Sequence, residues 1–388
     1  MGDILHALPA VTALRMAHPD WVIDWVVEPR WRALLAAELV TGTPGWTPED
    51  HTSGAKARVD STALMARLKS CPDASSDFDR SFSAACEAPA YQPVNAQPLV
   101  NHLHFAPTKD WRKAPFSRQT LHEIKALRTA LRAGEYDAVI DLQGAIRSAV
   151  VARLAGCPRL IGEAEPRERP ARWLFTECVA TRGVHVVEQD VELASAIAGD
   201  QLRHVAPWLP VEPAAEAWAD SLLPPSANQP AALINPGAGW GAKRWPVERY
   251  AAVAQGLTER GFRVLVNAGP GEELLAEAVV SGAGGAATPL LCSLAQLIAI
   301  TRRIALAVAG DTGPLHLACA LGRPVVGIYG PTDPSRNGPF GTRFKVLRSP
   351  QSRRDHSRHE APEAGLLTIQ PDDVLHAADA LLYPETAL

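Results

Sequence analysis

Between Ala231 and Tyr329 the chain alternates short apolar runs with helical periods, and that rhythm constrains the fold more than any other feature of its 388 residues. The pattern predicts strands at Ala231–Asn235, Arg263–Asn267, Ile304–Ala309 and Pro324–Tyr329. Helices are predicted near Val247–Arg260, Glu272–Ser281, Ser293–Thr301 and Leu315–Leu321. Strands and helices interleaved in this way build a doubly wound parallel sheet, an α/β architecture. Such sheets bind ligands beyond the carboxyl ends of their strands.

Two of those strand ends carry chemistry. Gly310-Asp311-Thr312-Gly313-Pro314-Leu315-His316 joins a buried strand to a helix start. The first amides of a helix lack intrahelical partners and lie at the positive end of its dipole, so they attract a phosphate. Gly313 allows close backbone approach and Pro314 suits an early helical position. Asp311 would repel a phosphate, so it is expected to hydrogen-bond neutral hydroxyls such as those of a sugar. The plainer reading is that Asp311 or Thr312 caps the helix.

The other junction is Asn235-Pro236-Gly237-Ala238-Gly239-Trp240-Gly241-Ala242-Lys243-Arg244. Gly237 and Gly239 let amides crowd round an anion, and the Lys243 ammonium can neutralise it. The spacing is neither GxxxxGK[ST] nor GxGxxG, which argues against a P-loop NTPase and a dinucleotide oxidoreductase.

Length and composition bound the rest. The chain suits two to three domains at about 150 residues each, and 47% hydrophobic residues supply their cores. A net charge of -4 gives no basic field for nucleic acid. Six scattered cysteines form no metal-ligand or CxxC spacing and read as free thiols in a reducing compartment. No apolar run reaches the ~20 residues of a membrane span, and no signal peptide opens the chain, so a cytoplasmic protein without metal is expected.

The chain opens on Met1-Gly2-Asp3 and a helical period from Ile4 to Arg15, where spacing alone makes Asp3 an N-cap. A strand is expected over Trp21–Glu28. Residues 41–98, rich in Pro, Ala and Ser, read as an insertion or flexible surface loop. Trp111, Arg112 and Lys113 are expected on a loop, where an aromatic ring between cations can hold an anion. Tyr136–Leu142 predicts a buried strand, with Asp141 and Gln143 at its carboxyl end. Arg167, Arg169 and Arg172 form a second basic patch. Pro207–Ser226 reads as the linker between an N-terminal domain, 1–206, and a C-terminal domain, 207–388, that ends in a helix after Pro371.

In their order these stretches resemble the ADP-heptose:lipopolysaccharide heptosyltransferases, glycosyltransferase family 9, and most of all its heptosyltransferase I members. The matching segments are 1–11, 111–117, 123–131, 136–149, 167–175, 243–246 and GDTGPLHLACALGRPVVGIYGPTDP at 310–334. The resemblance implies a GT-B fold, two Rossmann-like doubly wound domains facing across a cleft, with acceptor on the first and nucleotide sugar on the second. It implies an inverting, metal-independent glycosyltransferase that uses no cofactor. That enzyme moves L-glycero-D-manno-heptose from ADP-heptose to the Kdo of Kdo2-lipid A in lipopolysaccharide core biosynthesis. Asp3 then matches the general base and Lys243 the lysine that neutralises the diphosphate. Asp311, Thr312, Gly313 and His316 match donor contacts, and Glu272 or Glu273 matches an acidic ribose contact; Gly237 and Gly239, read above as an anion site, are expected on the donor side. Trp111, Arg112, Lys113, Gln143, Arg169 and Arg172 fall in acceptor-side segments. The implied protein is a monomer in peripheral contact with the cytoplasmic face of the inner membrane.

Family members begin with a strand and a Ser-rich turn ahead of the Gly-Asp, so the expectation is that the first strand is missing here and Asp3 lies on a fraying terminus. Two other readings are kept: a heptosyltransferase with a heptose or other sugar as acceptor, and an inactive nucleotide-binding protein lacking its first strand.

Overall fold

The computed structural model describes residues 1–36, 63–67, 98–352 and 360–383, which build two six-stranded sheets. The first half runs α1 (Gly2–Ala17), β1 (Val22–Val27), β2 (Ala63–Arg67), β3 (His102–Phe105), α2 (Thr108–Lys113) and α3 (Arg118–Ala133). It continues through β4 (Ala138–Asp141), α4 (Ile146–Arg153), β5 (Leu160–Glu163), β6 (Glu177–Val179) and α5 (Val186–Ala198). The sheet order is β3-β1-β2-β4-β5-β6. All its pairings are parallel except those of β2, which is antiparallel to both β1 and β4. Residues 63–67, expected in a surface insertion, therefore form a central strand. Their sequence carries no alternation strong enough to reveal it, because a strand flanked on both sides needs only backbone pairing and modest apolarity. The remainder of 41–97 lies outside the described residues.

The second half runs α6 (Pro213–Leu222), β7 (Ala231–Asn235), α7 (Val247–Glu259), β8 (Arg263–Asn267), α8 (Glu273–Gly282) and β9 (Ala287–Leu290). Then come α9 (Leu294–Thr301), β10 (Leu306–Gly310), α10 (Gly313–Ala320), β11 (Val325–Tyr329), α11 (Pro334–Asn337), β12 (Phe344–Arg348) and α12 (Pro371–Leu382). Its sheet is wholly parallel, in the order β12-β11-β10-β7-β8-β9. That is the doubly wound arrangement, and the order reverses between β7 and β10. β7, β10 and β11 are buried at every residue, as continuous apolar strands covered on both faces must be.

α1 joins the two halves. From Ile4 to Arg15 every residue is buried, the polar His6, Thr12 and Arg15 included. A helix apolar nearly all round belongs in a core rather than on a surface. It packs on α5 of its own half and on α10 of the other. Arg15 secures its last turn by donating to the carbonyls of Leu99, Pro19 and Trp21 and to Asn101 Oδ1. Within the second half, Arg302 and Arg303, at the end of α9, pair with Glu216 of α6. α6, within the segment read as linker, is thus fastened to the second sheet's layer.

Candidate active site between the two halves

The first turn of α1 and the first turn of α10 meet. Met1, not Asp3, is the N-cap of α1, and it makes no side-chain cap bond. Asp3 sits one position into the helix, so its carboxylate is free to point outward, where Gln143 Nε2 donates to Oδ2 at 2.7 Å. Arg167 Nη1 lies 3.7 Å from the same oxygen. Asp3 is therefore anchored on a buried helix and stays 31% exposed, rather than lying on a fraying end.

Gln143 is held in turn by Asp141, at the carboxyl end of β4. Asp141 Oδ1 accepts from the backbone N–H groups of Gln143 and Gly144, at 2.9 and 3.2 Å, and Oδ2 accepts from the Ser148 hydroxyl at 2.8 Å. Burial pushes the Asp141 carboxyl up to about 6, against the pull of those hydrogen bonds.

On the other side, β10 delivers Asp311 and α10 delivers His316. The Asp311 carboxylate accepts from the Lys243 ammonium through Oδ2 and from His316 Nε2 through Oδ1 at 3.3 Å. Burial alone would raise its pKa, but the His316 hydrogen bond and the Lys243 charge hold it far below the usual carboxylate range. Lys243, 10% exposed, also stands 4.2 Å over the Trp240 ring, so it is a fixed cation rather than a mobile loop lysine. Of the two cap candidates Thr312, not Asp311, is the N-cap of α10, without a side-chain cap bond; its hydroxyl donates to the Gly310 carbonyl at 3.2 Å. Pro314 falls in the first turn as expected.

The two sides are joined by a histidine pair. His6 Nε2 lies 3.2 Å from His316 Nδ1. Because Asp311 can only accept, His316 carries its proton on Nε2, and in the neutral pair His6 donates to His316 Nδ1. Burial, then the neighbouring His316 and His185, hold His6 well below its ordinary pKa. His185 stands edge-on to His6 and hydrogen-bonds the Gly338 carbonyl at 3.1 Å. His6 and His185 escape sequence reasoning because each matters only through a partner far along the chain; a histidine inside an otherwise apolar helix was the available signal.

Two of the three glycines expected at the site, Gly313 and Gly237, serve close packing. A Cβ on Gly313 would fall 2.6 Å from Met1 Sδ, and one on Gly237 would fall 2.0 Å from Glu272 Oε2. Gly239 faces open space. Glu272 thus lies directly under the Gly237 loop and accepts from the Gly269 N–H at 3.3 Å; burial raises its pKa. Asn235 bridges this group to the α10 turn, donating to Thr312 Oγ1 at 3.5 Å and accepting from Asn267 Nδ2 at 2.7 Å.

One expected contact is corrected. Trp111 lies in α2, not on a loop; it is buried in the core of the first half and its indole N–H donates to Glu123 Oε2 at 2.7 Å. Its large ring packs under α3, so its face is not available to stack on a ligand. Arg112 and Lys113 are exposed, Lys113 pairing with Asp110. Arg169 and Arg172 are exposed on the 169–174 turn, while Arg167, two residues before it, is the arginine that reaches Asp3.

The arrangement places a partly exposed carboxylate on one half and, on the other, a buried ammonium beside the amide end of α10. That combination can remove a proton from a nucleophile and stabilise an anionic leaving group. Among the described residues no cluster of His, Cys, Asp and Glu could hold a metal ion.

Residues 124–366 match the family glycosyltransferase family 9 (heptosyltransferase). The chain is 28% identical over 355 residues to lipopolysaccharide heptosyltransferase 1 of Escherichia coli K12, covering 90% of this chain and 91% of that protein. It is 27% identical to the Pseudomonas aeruginosa protein of the same name, covering 88% and 79%. Among solved structures, E. coli heptosyltransferase WaaC with ADP superposes with a TM-score of 0.68 at 25% identity, covering 98% of this chain and 96% of that one. E. coli ADP-heptose lps heptosyltransferase II shares the fold, with a TM-score of 0.65 at 21% identity, covering 100% and 97%. The fold is the expected GT-B, two Rossmann-like domains facing one another.

Proposed function

This chain belongs to glycosyltransferase family 9, the heptosyltransferases, and from that premise we propose that it transfers L-glycero-D-manno-heptose from ADP-heptose to the Kdo of Kdo2-lipid A in lipopolysaccharide core biosynthesis, with inversion. Asp3 takes the proton of the acceptor hydroxyl as its oxygen bonds to the anomeric carbon. The bond from that carbon to the diphosphate oxygen breaks, and ADP leaves with the electron pair. Lys243 and the first amides of α10 stabilise the charge that develops on the diphosphate. Glu272 meets the ribose, and Thr312 and Gly313 flank the phosphates. Arg167, with Arg112, Lys113, Arg169 and Arg172, faces the anionic groups of the acceptor.

The observation that carries this reading is the clasp between His6 and His316. It fixes Asp3 on α1 against the turn that holds Asp311 and Lys243, so base and donor pocket keep one geometry. A neighbouring surface suits a lipid-borne acceptor. α3, α4 and the 169–174 turn carry eight Lys and Arg residues and a single carboxylate. They line a groove of about 500 Å³ beside Leu121, Val150 and Leu174, which supports peripheral contact with an anionic membrane. Among the described residues no helix is long and apolar enough to cross one.

Mass spectrometry of Kdo2-lipid A incubated with ADP-heptose and the protein tests the reading. A gain of one heptose, abolished by Asp3→Asn, supports it. Transfer only to acceptors that already carry heptose would instead make this a later enzyme of the core. No transfer to any acceptor would leave a nucleotide-binding protein.

A further inference from the structure

A second cavity opens beside Asp3. Its wall carries Asp141, Gln143, Glu163, Gln189, Asp190 and Arg336, so it is built by the ends of β4 and β5, by α5 and, from the facing domain, by α11. Its volume, about 20 Å³, is room for a single water-sized group such as one hydroxyl. Gln143 belongs both to this wall and to the hydrogen bond on Asp3, which makes the cavity the immediate neighbour of the base.

Most polar groups of the wall are already satisfied. Asp141 accepts three hydrogen bonds, Glu163 Oε1 accepts from the Thr181 hydroxyl at 2.8 Å, and Gln189 Nε2 donates to the Gly183 carbonyl at 3.0 Å. Two buried oxygens are not: Oδ2 of Asp190, whose residue is 2% exposed, and Oε1 of Gln189 have no hydrogen-bond partner. Leaving such atoms unpaired is costly, and native structures keep them where something else completes them.

The wall decides what that can be. Even with Asp190 protonated, the carboxylates of Asp141 and Glu163 outnumber the one guanidinium of Arg336, so the phosphates and carboxylates of an acceptor belong elsewhere, at Arg167 and its neighbours. Burial, together with Asp3, Glu163 and Asp141, holds Asp190 well above the usual carboxylate range, which favours its protonated form. A carboxylic acid both donates and accepts. An ammonium, which only donates, matches it poorly, whereas a hydroxyl matches it in either protonation state and can donate to Gln189 Oε1 as well.

We infer that this cavity is a hydroxyl subsite for the acceptor sugar, receiving a hydroxyl that neighbours the one Asp3 deprotonates, with Asp190 as a specificity residue. The inference rests on the transferase reading above. Bound acceptor completes Asp190 and Gln189 and turns the sugar so that the correct oxygen faces Asp3; an acceptor lacking that hydroxyl leaves both atoms unpaired and is rejected.

Steady-state kinetics of Asp190→Leu and Asp190→Asn with Kdo2-lipid A, alongside thermal melts, test this. Wild-type turnover of Kdo2-lipid A establishes the transferase reading independently of either variant. Asp190→Leu, close in volume and unable to hydrogen-bond, should raise the acceptor KM about ten- to a hundredfold. It should leave the ADP-heptose KM within about twofold and the melting temperature unchanged or higher, because a buried unpaired carboxyl is gone. Asp190→Asn, which still donates and accepts, should recover most of the acceptor KM. The inference is overturned if both variants keep the wild-type acceptor KM, as a cavity holding only water would require. It is equally overturned if both substrates' KM values worsen together with a lower melting temperature, the mark of a purely structural aspartate. Should Asp190→Leu not fold, the Asp190→Asn and Asp190→Ser pair carries the same comparison.

Discussion

His6 and His316, 310 positions apart, share a hydrogen bond of 3.2 Å that links the helix bearing Asp3 to the helix that follows Asp311. His6→Leu removes the bond and leaves His316 Nδ1 buried without a partner, which should cost about 1–3 kcal/mol of stability. Because base and donor site then lose a shared frame, kcat should fall more than either KM rises. A variant that melts like wild type and turns over at the wild-type rate would remove the clasp from the mechanism.

The same pair predicts a pH dependence. His6 is depressed in the folded protein, so between its folded pKa and the ordinary value near 6.5 the unfolded chain binds a proton that the folded one refuses. Stability contributed by neutral His6 is thus present above about pH 6.5 and lost as the pH falls below it. Asp141 works the other way: its folded pKa of about 6 means that the fold gains from it as the pH falls from 6 toward 4. The wild-type curve mixes the two, whereas the difference between His6→Leu and wild type isolates the histidine. Urea titrations from pH 5 to 7.5 should show that difference shrinking with acid. A constant difference would mean that His6 does not titrate.

Lys243 and Asp311 form a buried pair, so breaking it is worse than deleting it. Lys243→Met strands the Asp311 carboxylate with only His316 to compensate and should cost about 3–5 kcal/mol, while Lys243→Met with Asp311→Asn should recover most of that. Activity should not follow stability. If the ammonium stabilises the leaving diphosphate, both variants lose about 10²–10³ in kcat. Recovery of turnover in the double variant would make Lys243 a structural residue alone.

Much of this site was legible because its chemistry sits at strand ends. The run from Ile304 to Leu321 announces β10 and α10 by apolarity, glycine and proline alone, and Asp311, Lys243 and Gln143 follow from the rule that parallel sheets bind ligands beyond their carboxyl ends. What sequence hides is identity of partner. Trp111 between cations reads as a contact surface, but its burial depends on α3 packing over it. Asp3 reads as a cap, but its orientation depends on Gln143, 140 residues away. β2 is invisible because strand pairing, unlike helical periodicity, is decided by neighbours elsewhere in the chain. β12 is hidden for a related reason: at the sheet edge, Phe344–Arg348 is not fully buried at any position.

Asp3→Asn separates chemistry from architecture. Asp3 is partly exposed and is not the cap of α1, so the variant should melt within about 0.5 kcal/mol of wild type, as surface changes do. It keeps a group that can hydrogen-bond Gln143 but cannot take a proton, so kcat should fall about 10²–10⁴ with ADP affinity, measured by calorimetry, unchanged. Gln143→Ala should give a smaller loss in kcat alone, because it frees the Asp3 carboxylate to turn. A wild-type rate for Asp3→Asn would move the base elsewhere.

Peripheral membrane contact has a defined face to test. Phe116, two residues before α3, and Trp173, next in sequence to the lining residue Leu174, are 90% and 81% exposed, and Lys125, Arg128, Arg132 and Arg153 line the groove beside Leu121 and Val150. α4 starts three residues after Gln143, and the 169–174 turn starts two residues after Arg167, so both elements of this face are joined in sequence to residues that meet Asp3. A lipid-anchored acceptor can therefore keep its chains in the bilayer while its sugar reaches Asp3. Each cation near an anionic surface is worth about 1 kcal/mol, so Lys125→Gln with Arg128→Gln should weaken cosedimentation with vesicles containing phosphatidylglycerol about thirtyfold. Phosphatidylcholine vesicles should bind neither protein, and raising the salt should erase the difference between the two lipids. Transfer to a deacylated, water-soluble acceptor should be unchanged in the double variant, because the charges act on the bilayer and not on the sugar. Equal binding of wild type and variant to anionic vesicles would place the membrane contact on another face of the protein.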